Sequence, residues 1–304
     1  MEVAITGASG LLGGALAESL RHDGHGVRRL VRSPSDEPDT IAWRPDEGSI
    51  DARSLEGIDA VVHLAGVSVG ERRWSPDQKQ AIRDSRIKGT TLLAETLARL
   101  ERPPKVFLSA SGTHFYGDTG DTPMTETSPT GGGFLAELVR DWEAATGPAA
   151  DAGIRTVCFR SGVVLTRRGG SLPRLLTVFR WGLGGRMGSG RQWMSWISLA
   201  DEIAALRFLI DDDTLSGPVN LVSPQPVTNA AFTRVLARIV HRPSFLVVPR
   251  FGPRLVLGRE LADEILFMSQ RVEPAALKGA GFHFRHPDLD GALRAALDKE
   301  PHDG

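Results

Sequence analysis

The 304-residue chain has a single tyrosine, Tyr116, and a single cysteine, Cys158. One cysteine excludes an intrachain disulfide and is compatible with a reducing compartment. Lysine is scarce at five of 36 basic residues, a skew that reads as compositional bias rather than as chemistry. Net charge is also lacking: 36 basic residues face 37 acidic ones, leaving −1. That balance argues against a surface built to coat nucleic acid or an anionic membrane, so neither is expected as a partner. No apolar run approaches the ~20 residues needed to span a bilayer. The opening Glu2-Val3-Ala4-Ile5-Thr6 has no basic segment followed by an apolar one, so a cytoplasmic location is expected. Internal repeats and low-complexity segments are absent. Against these absences stand 34 glycines and 41% apolar residues, an ordinary globular composition. The length suits one large domain or a domain with an appendage.

Residues 1–165 alternate short β-rich runs with longer helical patterns. Val3–Thr6, Val27–Val31, Ala60–Leu64, Val106–Ser109 and Thr156–Phe159 read as buried strands. Leu11–His22, Pro76–Leu100 and Phe134–Ala152 read as helices, the second with Ser75 as N-cap and Pro76 at its first position. Such alternation predicts an α/β fold, a doubly wound parallel sheet with helices on both faces. The second half changes character. Residues 166–198 are rich in Gly, Arg and Trp, which suits a loop-rich lobe. Asp201–Ile210 reads as a helix, Val219–Val222 as a strand that rejoins the first sheet, and Thr228 as the cap of a helix over 229–240. Residues 250–295 read as mostly helical. The expected division is a dinucleotide-binding unit over 1–165 and a smaller, loop- and helix-rich C-terminal lobe over 166–304.

The chemistry-bearing motif is Thr6-Gly7-Ala8-Ser9-Gly10-Leu11-Leu12-Gly13, which leaves the first strand and opens the first helix. Gly7 permits the tight turn, Gly10 lets the backbone approach a pyrophosphate, and Gly13 lets the helix pack close to the strand. The helix start offers free N–H groups and a positive dipole end to the phosphates. Strand–turn–helix context makes this a dinucleotide-binding signal. After the second strand a carboxylate would accept bonds from a ribose 2′-OH, whereas an arginine would pair with a 2′-phosphate. Val27–Val31 ends in Arg32-Ser33, and no acid follows until Asp36. Arg32 and Ser33 therefore favour NADP(H) over NAD(H).

The glycine turn resembles that of the extended short-chain dehydrogenase/reductase superfamily, in its sugar-nucleotide epimerase branch, which implies a Rossmann-type fold. His63-Leu64-Ala65-Gly66 is similar to the family stretch bordering the adenosine ribose and pyrophosphate. Ser109-Ala110-Ser111 and Tyr116-Gly117-Asp118 resemble its serine-rich strand end and Tyr-Gly turn. Three further stretches narrow the match: Arg73-Trp74-Ser75 with Ser85-Arg86, Phe134–Glu137 with Asp141-Trp142-Glu143, and Gly188–Ile197. With Gln270-Arg271-Val272 and Gly281–Leu289 they resemble atypical epimerase family proteins, sometimes labelled cell-division-inhibitor-like, that carry a small C-terminal domain of unknown function. The resemblance covers nearly the whole chain. It implies that Phe159-Arg160-Ser161-Gly162 borders the nicotinamide and the substrate cleft. Arg191–Trp196 is similar to a substrate wall, with Trp193 and Trp196 as stacking faces and Arg191 as an anion partner; the alternative is an aromatic hinge that packs the small lobe on the large one.

The superfamily's Tyr-x-x-x-Lys pair, in which lysine lowers the tyrosine pKa for proton transfer, is missing. Registering Glu143 on the family's usual glutamate places Leu135 and Val139 at those two positions. The supporting asparagine corresponds to Arg86, and the serine position is kept as Ser111. The candidates left for chemistry are Ser111, Tyr116 and Arg86, whose fixed charge can neutralise an oxyanion, with His114 near the substrate. The alternatives are a carboxamide bond for Ser111, a packed Tyr116 with its OH tied to backbone, an Arg86 that only holds phosphate or a carboxylate, and a plain loop role for His114. Arg86 and Ser111 also count among the cofactor contacts. Metal binding is not expected, since His283-x-x-His286 lacks a third ligand nearby. Two functions stay open: an NADP-dependent oxidoreductase or epimerase-like enzyme acting on a sugar-nucleotide or small carbonyl compound, and a non-catalytic NADP(H)-binding redox sensor or interaction module. The charged helices at 76–100 and 132–152 suit a monomer or a weak homodimer.

Overall fold

Valine- and isoleucine-rich runs need both faces covered, and here they are joined edge to edge. The computed structural model describes residues 1–33 and 37–298, so Asp36 and the last six residues lie outside it. Eight strands form one sheet: β1 (Glu2–Thr6), β2 (Gly26–Val31), β3 (Thr40–Arg44), β4 (Ser49–Ile50), β5 (Ala60–His63), β6 (Val106–Gly112), β7 (Arg155–Ser161) and β8 (Gly217–Leu221). Their spatial order is β8-β7-β6-β5-β1-β2-β3-β4. Every pairing is parallel except that of β3 with β4. The chain enters at β1, runs outward to β4, and returns to β5 on the other side of β1. That reversal opens a crevice beyond the carboxyl ends of β1 and β5, where ligands of such sheets bind.

Pleating sends alternate residues to opposite faces. Val3 and Ile5 pack with Leu16, Ala17 and Leu20 of α1 (Leu11–His22). Ala4 packs on the other face with Leu93, Ala94 and Leu97 of α2 (Pro76–Leu97). Truncating a fully buried leucine such as Leu16 to alanine would cost about 2–5 kcal/mol. The α2 start follows its cap: the Ser75 hydroxyl accepts from Gln78 N at 3.1 Å. Next comes α3 (Phe134–Ala144), which is shorter than expected. Pro148 has no N–H to donate and clashes with a preceding carbonyl, so the expected helix breaks and resumes only as a short turn at Gly147–Asp151.

A second core joins α4 (Leu172–Arg180) through Leu172, Leu176 and Phe179 to Trp196. The helix α5 (Leu199–Asp211) returns to the main sheet and packs beside α1. α6 (Asn229–Ile239), capped by Thr228, completes the second core, together with α8 (Leu289–Asp298), which follows α7 (Phe251–Leu257). Short strands stitch this lobe together: Gly185–Met187 pairs with Leu246–Val248, and Trp196–Ser198 with Val163–Leu165. Arg271–Val272 pairs with Pro123–Met124 and so ties the C-terminal segment to the loop after β6. β3 lies where the sequence pattern suggested no element, and α4 within the stretch expected to be loop-rich.

Candidate functional site

The turn after β1 is built for a close neighbour. Gly7 has φ +66, and a Cβ there would sit 3.0 Å from Ala65 N. A Cβ on Gly13 would fall 2.3 Å from the Gly7 oxygen, so only glycine lets α1 start this close to the strand. Gly10 caps α1 without a side chain, and the first turn holds no acid. The helix start is thus left with unpaired N–H groups and an uncompensated positive dipole end. Ser9 and Gly10 are exposed at this point, and Leu11 and Leu12 are half-buried.

Two of the expected contacts lie behind the turn. Thr6 and His63 are fully buried. Thr6 Oγ1 accepts from Leu64 N at 2.9 Å and Ala65 N at 3.1 Å, and it bonds His63 Nδ1 at 2.7 Å. They fix the Leu64-Ala65-Gly66 turn against the glycine turn and present no surface to a ligand. Burial, reinforced by the Arg86 charge, pushes His63 down to about 3, so its ring is neutral. Ser109 is likewise buried, whereas Ala110 and Ser111 are half-buried and Gly66 is exposed.

Arg32 and Ser33, both exposed, line a cavity of about 330 Å³ at the end of β2. Its other walls are Arg44, Pro45, Asp46 and Glu47, from the end of β3. Arg44 is partly held by Glu47 at 3.2 Å; Arg32 has no ion pair among the described residues. Sequence reading missed Arg44 because it missed β3.

Arg86, on α2, flanks the Gly66 turn: a Cβ on Gly66 would lie 3.3 Å from its guanidinium carbon. Its Nη1 donates to Val67 O at 2.8 Å, and its plane stands 4.9 Å from the Trp142 ring. It has no carboxylate partner among the described residues. Desolvation lowers its pKa to about 10, so it stays charged at neutral pH. His114 nearby is neutral, held down to about 4 by burial and then by Arg86.

Three side chains lie in one row across neighbouring strands. The parallel register sets Ser111 of β6 opposite Arg160 of β7, and Arg160 opposite Asn220 of β8. Glu143 of α3 meets this row. It accepts from the Ser111 hydroxyl at 2.5 Å and from Arg160 Nε and Nη2 at 2.7 Å each. Arg160 Nη1 donates to the Tyr116 oxygen at 2.8 Å, and the Tyr116 hydroxyl donates to Asn220 Oδ1 at 2.7 Å. The Arg160 guanidinium also lies 3.5 Å from the Phe115 ring centre. Tyr116 and Arg160 are both buried. The structure therefore takes the packed alternative for Tyr116, with its OH on side chains rather than backbone, and corrects the expectation for Arg160. Tyr116 is a bonded core tyrosine whose pKa is raised by burial, and Arg160 is an internal counter-ion with no face toward the crevice. Glu143, used in sequence only to set the register, is the centre of the network.

On the opposite side of β7, the Ser161 hydroxyl donates to Glu202 Oε1 at 2.5 Å. Glu202 is fully buried, and its Oε2 finds no partner among the described residues. Desolvation pushes this carboxyl up to about 8. Gly162 packs against Ser195 O, where a Cβ would come within 2.6 Å. Cys158 is buried, and desolvation raises its thiol to about 12, so it is no nucleophile.

The expected substrate wall is only partly a wall. Trp196 is fully buried in the second core, with Nε1 donating to Gln225 O at 3.0 Å, and offers no stacking face. Trp193 is half-buried, bonded through Nε1 to Asp121 Oδ1 at 2.8 Å and covered by Arg271 at 4.8 Å. Arg191 is exposed. Leu135 and Val139 are buried on α3. Above them the C-terminal segment sends in Glu264, whose carboxylate accepts from Phe134 N at 3.0 Å and Leu135 N at 2.8 Å. His286 of the same segment lies 3.1 Å from the Ser198 hydroxyl. A separate hollow of about 740 Å³ between α1, α5 and α8 shares no residue with the glycine turn. Among the described residues, no three His, Cys, Asp or Glu side chains are placed to hold a metal.

Residues 3–222 match the profile of the NAD dependent epimerase/dehydratase family, and residues 248–296 match a domain of unknown function. An epimerase family protein of Mycobacterium leprae is 47% identical over 98% of this chain and 96% of its own. The crystal structure of human epimerase family protein SDR39U1 with NADPH superposes with a TM-score of 0.90, at 34% identity, covering 98% of this chain and 100% of that one. A nucleoside-diphosphate sugar epimerase from Corynebacterium glutamicum is 40% identical with a TM-score of 0.81, covering 98% of this chain and 58% of that longer one. A glycine turn at the sheet's switch point, the Glu143-centred row and these likenesses over nearly its full length agree: the chain belongs to the NAD dependent epimerase/dehydratase family, with the C-terminal domain of its epimerase family relatives.

Proposed function

We propose that this protein binds NADP(H) in preference to NAD(H) and acts as an oxidoreductase or epimerase-like enzyme on a sugar-nucleotide or small carbonyl compound. The observation that carries the cofactor reading is the cavity between the ends of β2 and β3, where Arg32 and Arg44 present two guanidinium groups and Ser33 a hydroxyl. Such forks match a phosphate in geometry and charge. The start of α1, held close to β1 by Gly13 and left with unpaired N–H groups and no acid in its first turn, fits the pyrophosphate. The NADPH in the human relative's structure supports the same reading. Gly7, Ser9, Gly10, Leu11, Leu12 and Gly13 are assigned to the pyrophosphate, and Leu64, Ala65 and Gly66 to the adenosine side. Ala110, Ser111, Ser161 and Gly162 are assigned to the far end. The chain's monomer or weak homodimer state and cytoplasmic location belong to the same reading.

When bound, the nicotinamide supplies hydride transfer. The protein's share is binding, orientation and charge. Leu135 and Val139 cannot move a proton, and the Ser111 hydroxyl is committed as a hydrogen-bond donor to Glu143. Arg86, bonded only to backbone carbonyls and stacked on Trp142, has no carboxylate partner among the described residues, and it is assigned to hold a substrate anion or a developing oxyanion. A non-catalytic sensor is the second reading. It is favoured by that buried apolar pair and by the commitment of the Ser111 hydroxyl.

Titration with NADPH and NADH tests the first claim. Arg32→Ala should weaken NADPH binding about 10- to 100-fold, the equivalent of one charged hydrogen-bond pair, and leave NADH unchanged. Equal affinity of the native protein for both would remove the argument. Carbonyl and sugar-nucleotide compounds are then screened for oxidation of bound NADPH. With a substrate in hand, Arg86→Gln should lower kcat about 100-fold while NADPH affinity holds. A change in NADPH affinity alone would make Arg86 a cofactor contact, and no turnover with any compound would favour the sensor.

A further inference from the structure

The net charge of −1 conceals a strong segregation. Between Asp151 and Asp201 there is no carboxylate but there are eight arginines. Between Asp213 and Glu260 there is again none, against six arginines. The same two stretches carry most of the large apolar side chains left in solvent. Trp181, Leu183, Phe245, Phe251, Leu255 and Val256 are each between 61% and 80% exposed. The fold brings them to one place. Gly185–Met187 pairs with Leu246–Val248, Arg242 Nε donates to Arg180 O at 3.0 Å, and α7 follows two residues later, with Phe251 and Leu255 one turn apart.

Around these side chains Arg174, Arg180, Arg242 and Arg250 are exposed and make no ion pair among the described residues. Arg254 is held by Asp263 at 2.8 Å and Arg238 by Asp290 at 2.6 Å, so those two charges are largely spent. Scattered exposed leucines need no explanation, but a contiguous apolar patch does. A second copy is a poor occupant, since two arginine-rimmed faces would repel. Protruding tryptophan and phenylalanine ringed by uncommitted arginines are the side chains that settle at an anionic headgroup layer, the aromatic bodies in the interface and the guanidinium groups on phosphates.

We propose that this face, formed by residues 174–186 and 242–256, docks the protein reversibly on an anionic lipid surface. No helix among the described residues is long and apolar enough to cross a membrane, so the contact is peripheral. Arg73 Nε donates to Val256 O at 2.8 Å, and Lys79 pairs with Glu260, so the docking face continues into the segment over α2. Docking would therefore hold residues 174–186 and 242–256 at the lipid, with the start of α2 beside them.

The test is sedimentation of the full chain with vesicles of phosphatidylcholine, alone or with roughly one third phosphatidylglycerol. Binding should require the anionic lipid and weaken with salt. Replacing Arg174, Arg180 and Arg242 together by glutamine should lower the partition coefficient about 100-fold, at about fivefold per arginine. Trp181→Ser with Phe245→Ser and Phe251→Ser should abolish binding, and Trp181→Phe should remove the blue shift of tryptophan emission on vesicles. These positions are exposed, so the melting temperature and NADPH titration should be unchanged and serve as folding controls. Equal binding to neutral vesicles, no binding to anionic ones, or retained binding by the serine variant would each overturn the proposal. So would a dimer of the native protein that the serine variant dissociates, because a second copy would then cover the patch.

Discussion

Glu143 holds Ser111 and Arg160 with one carboxylate, and through Arg160 it orients Tyr116. Removing one partner of a buried ion pair leaves the other charged and desolvated, which costs about 3–5 kcal/mol. Glu143→Gln should therefore lower the urea midpoint strongly, while Glu143→Leu combined with Arg160→Met should recover most of the loss. Additive losses in the double variant would mean that the pair is not coupled. The family resemblance placed Ser111, Tyr116 and Arg160 near one another, left Tyr116 open between chemistry and packing, and set Arg160 at the cleft, whereas the structure buries it. The register that sets Ser111, Arg160 and Asn220 in one row is a property of three paired strands, and no local pattern encodes it. Glu202 gives a pH test. Its folded value of about 8 exceeds the ordinary 4.5, so above 4.5 the unfolded chain releases a proton that the fold retains. Its contribution to stability therefore falls as pH rises from about 4.5 to 8. Relative to native protein, Glu202→Gln should gain stability at pH 8 compared with pH 5, read from denaturant curves. A parallel shift at both values would mean that Glu202 is ionised in the fold.

The starts of α2, α3 and α6 were all readable, but the capping group was readable only where it is a neighbouring side chain. Ser75 and Thr228 cap α2 and α6 as their sequences suggest, bonding Gln78 N and Ala231 N. Ser75→Ala should cost about 1 kcal/mol, seen as a small drop in melting temperature. At α3 the cap arrives from 130 residues away, since Glu264 accepts from Phe134 N and Leu135 N. Glu264→Ala should cost a similar amount, about 1–2 kcal/mol. It should also loosen the C-terminal segment, which hydrogen exchange at Phe134 and Leu135 would report. Protection unchanged at both amides would show that the cap is dispensable. The strand β3 shows the opposite failure. Thr40-Ile41-Ala42-Trp43-Arg44 does alternate, with Ile41 and Trp43 buried and Ala42 exposed. Five residues near the sheet edge were too brief a signal, and missing them hid Arg44. In α4 the glycines and arginines on either side masked an amphipathic turn whose Leu172, Leu176 and Phe179 are buried.

The boundary expected near residue 165 is crossed by the packing itself. β8 lies beyond it and rejoins the first sheet, as its sequence suggests, pairing with β7 along five residues. Leu277, from the C-terminal segment, is buried in the main core with Val157 and Val219. Asn220 Nδ2 donates to Glu273 O at 3.0 Å, and Val272 N donates to the Ser195 hydroxyl at 2.9 Å. Asp201, buried on α5, accepts from Arg285 N at 2.7 Å and His286 N at 3.0 Å. Each of these bonds would leave a buried donor or acceptor open if the C-terminal segment left, at about 1–3 kcal/mol apiece. Four such losses are comparable with the whole stability of a domain, about 5–15 kcal/mol. The chain should accordingly unfold in one calorimetric transition, with calorimetric and van't Hoff enthalpies equal, and a chain ending at residue 247 should fail to fold. NADPH at 100 times its Kd should raise that one transition by about 4 °C, from about 2.7 kcal/mol of linkage spread over this chain length. Two transitions, with only the first moved by NADPH, would instead divide the molecule near residue 165 as the composition suggested. A folded chain ending at 247 would reduce the C-terminal domain to an attachment. One transition moved as a whole makes that domain part of the machinery that shapes the crevice, because Glu264 and Gln270 then reach α3 and Thr113 from within the same cooperative unit.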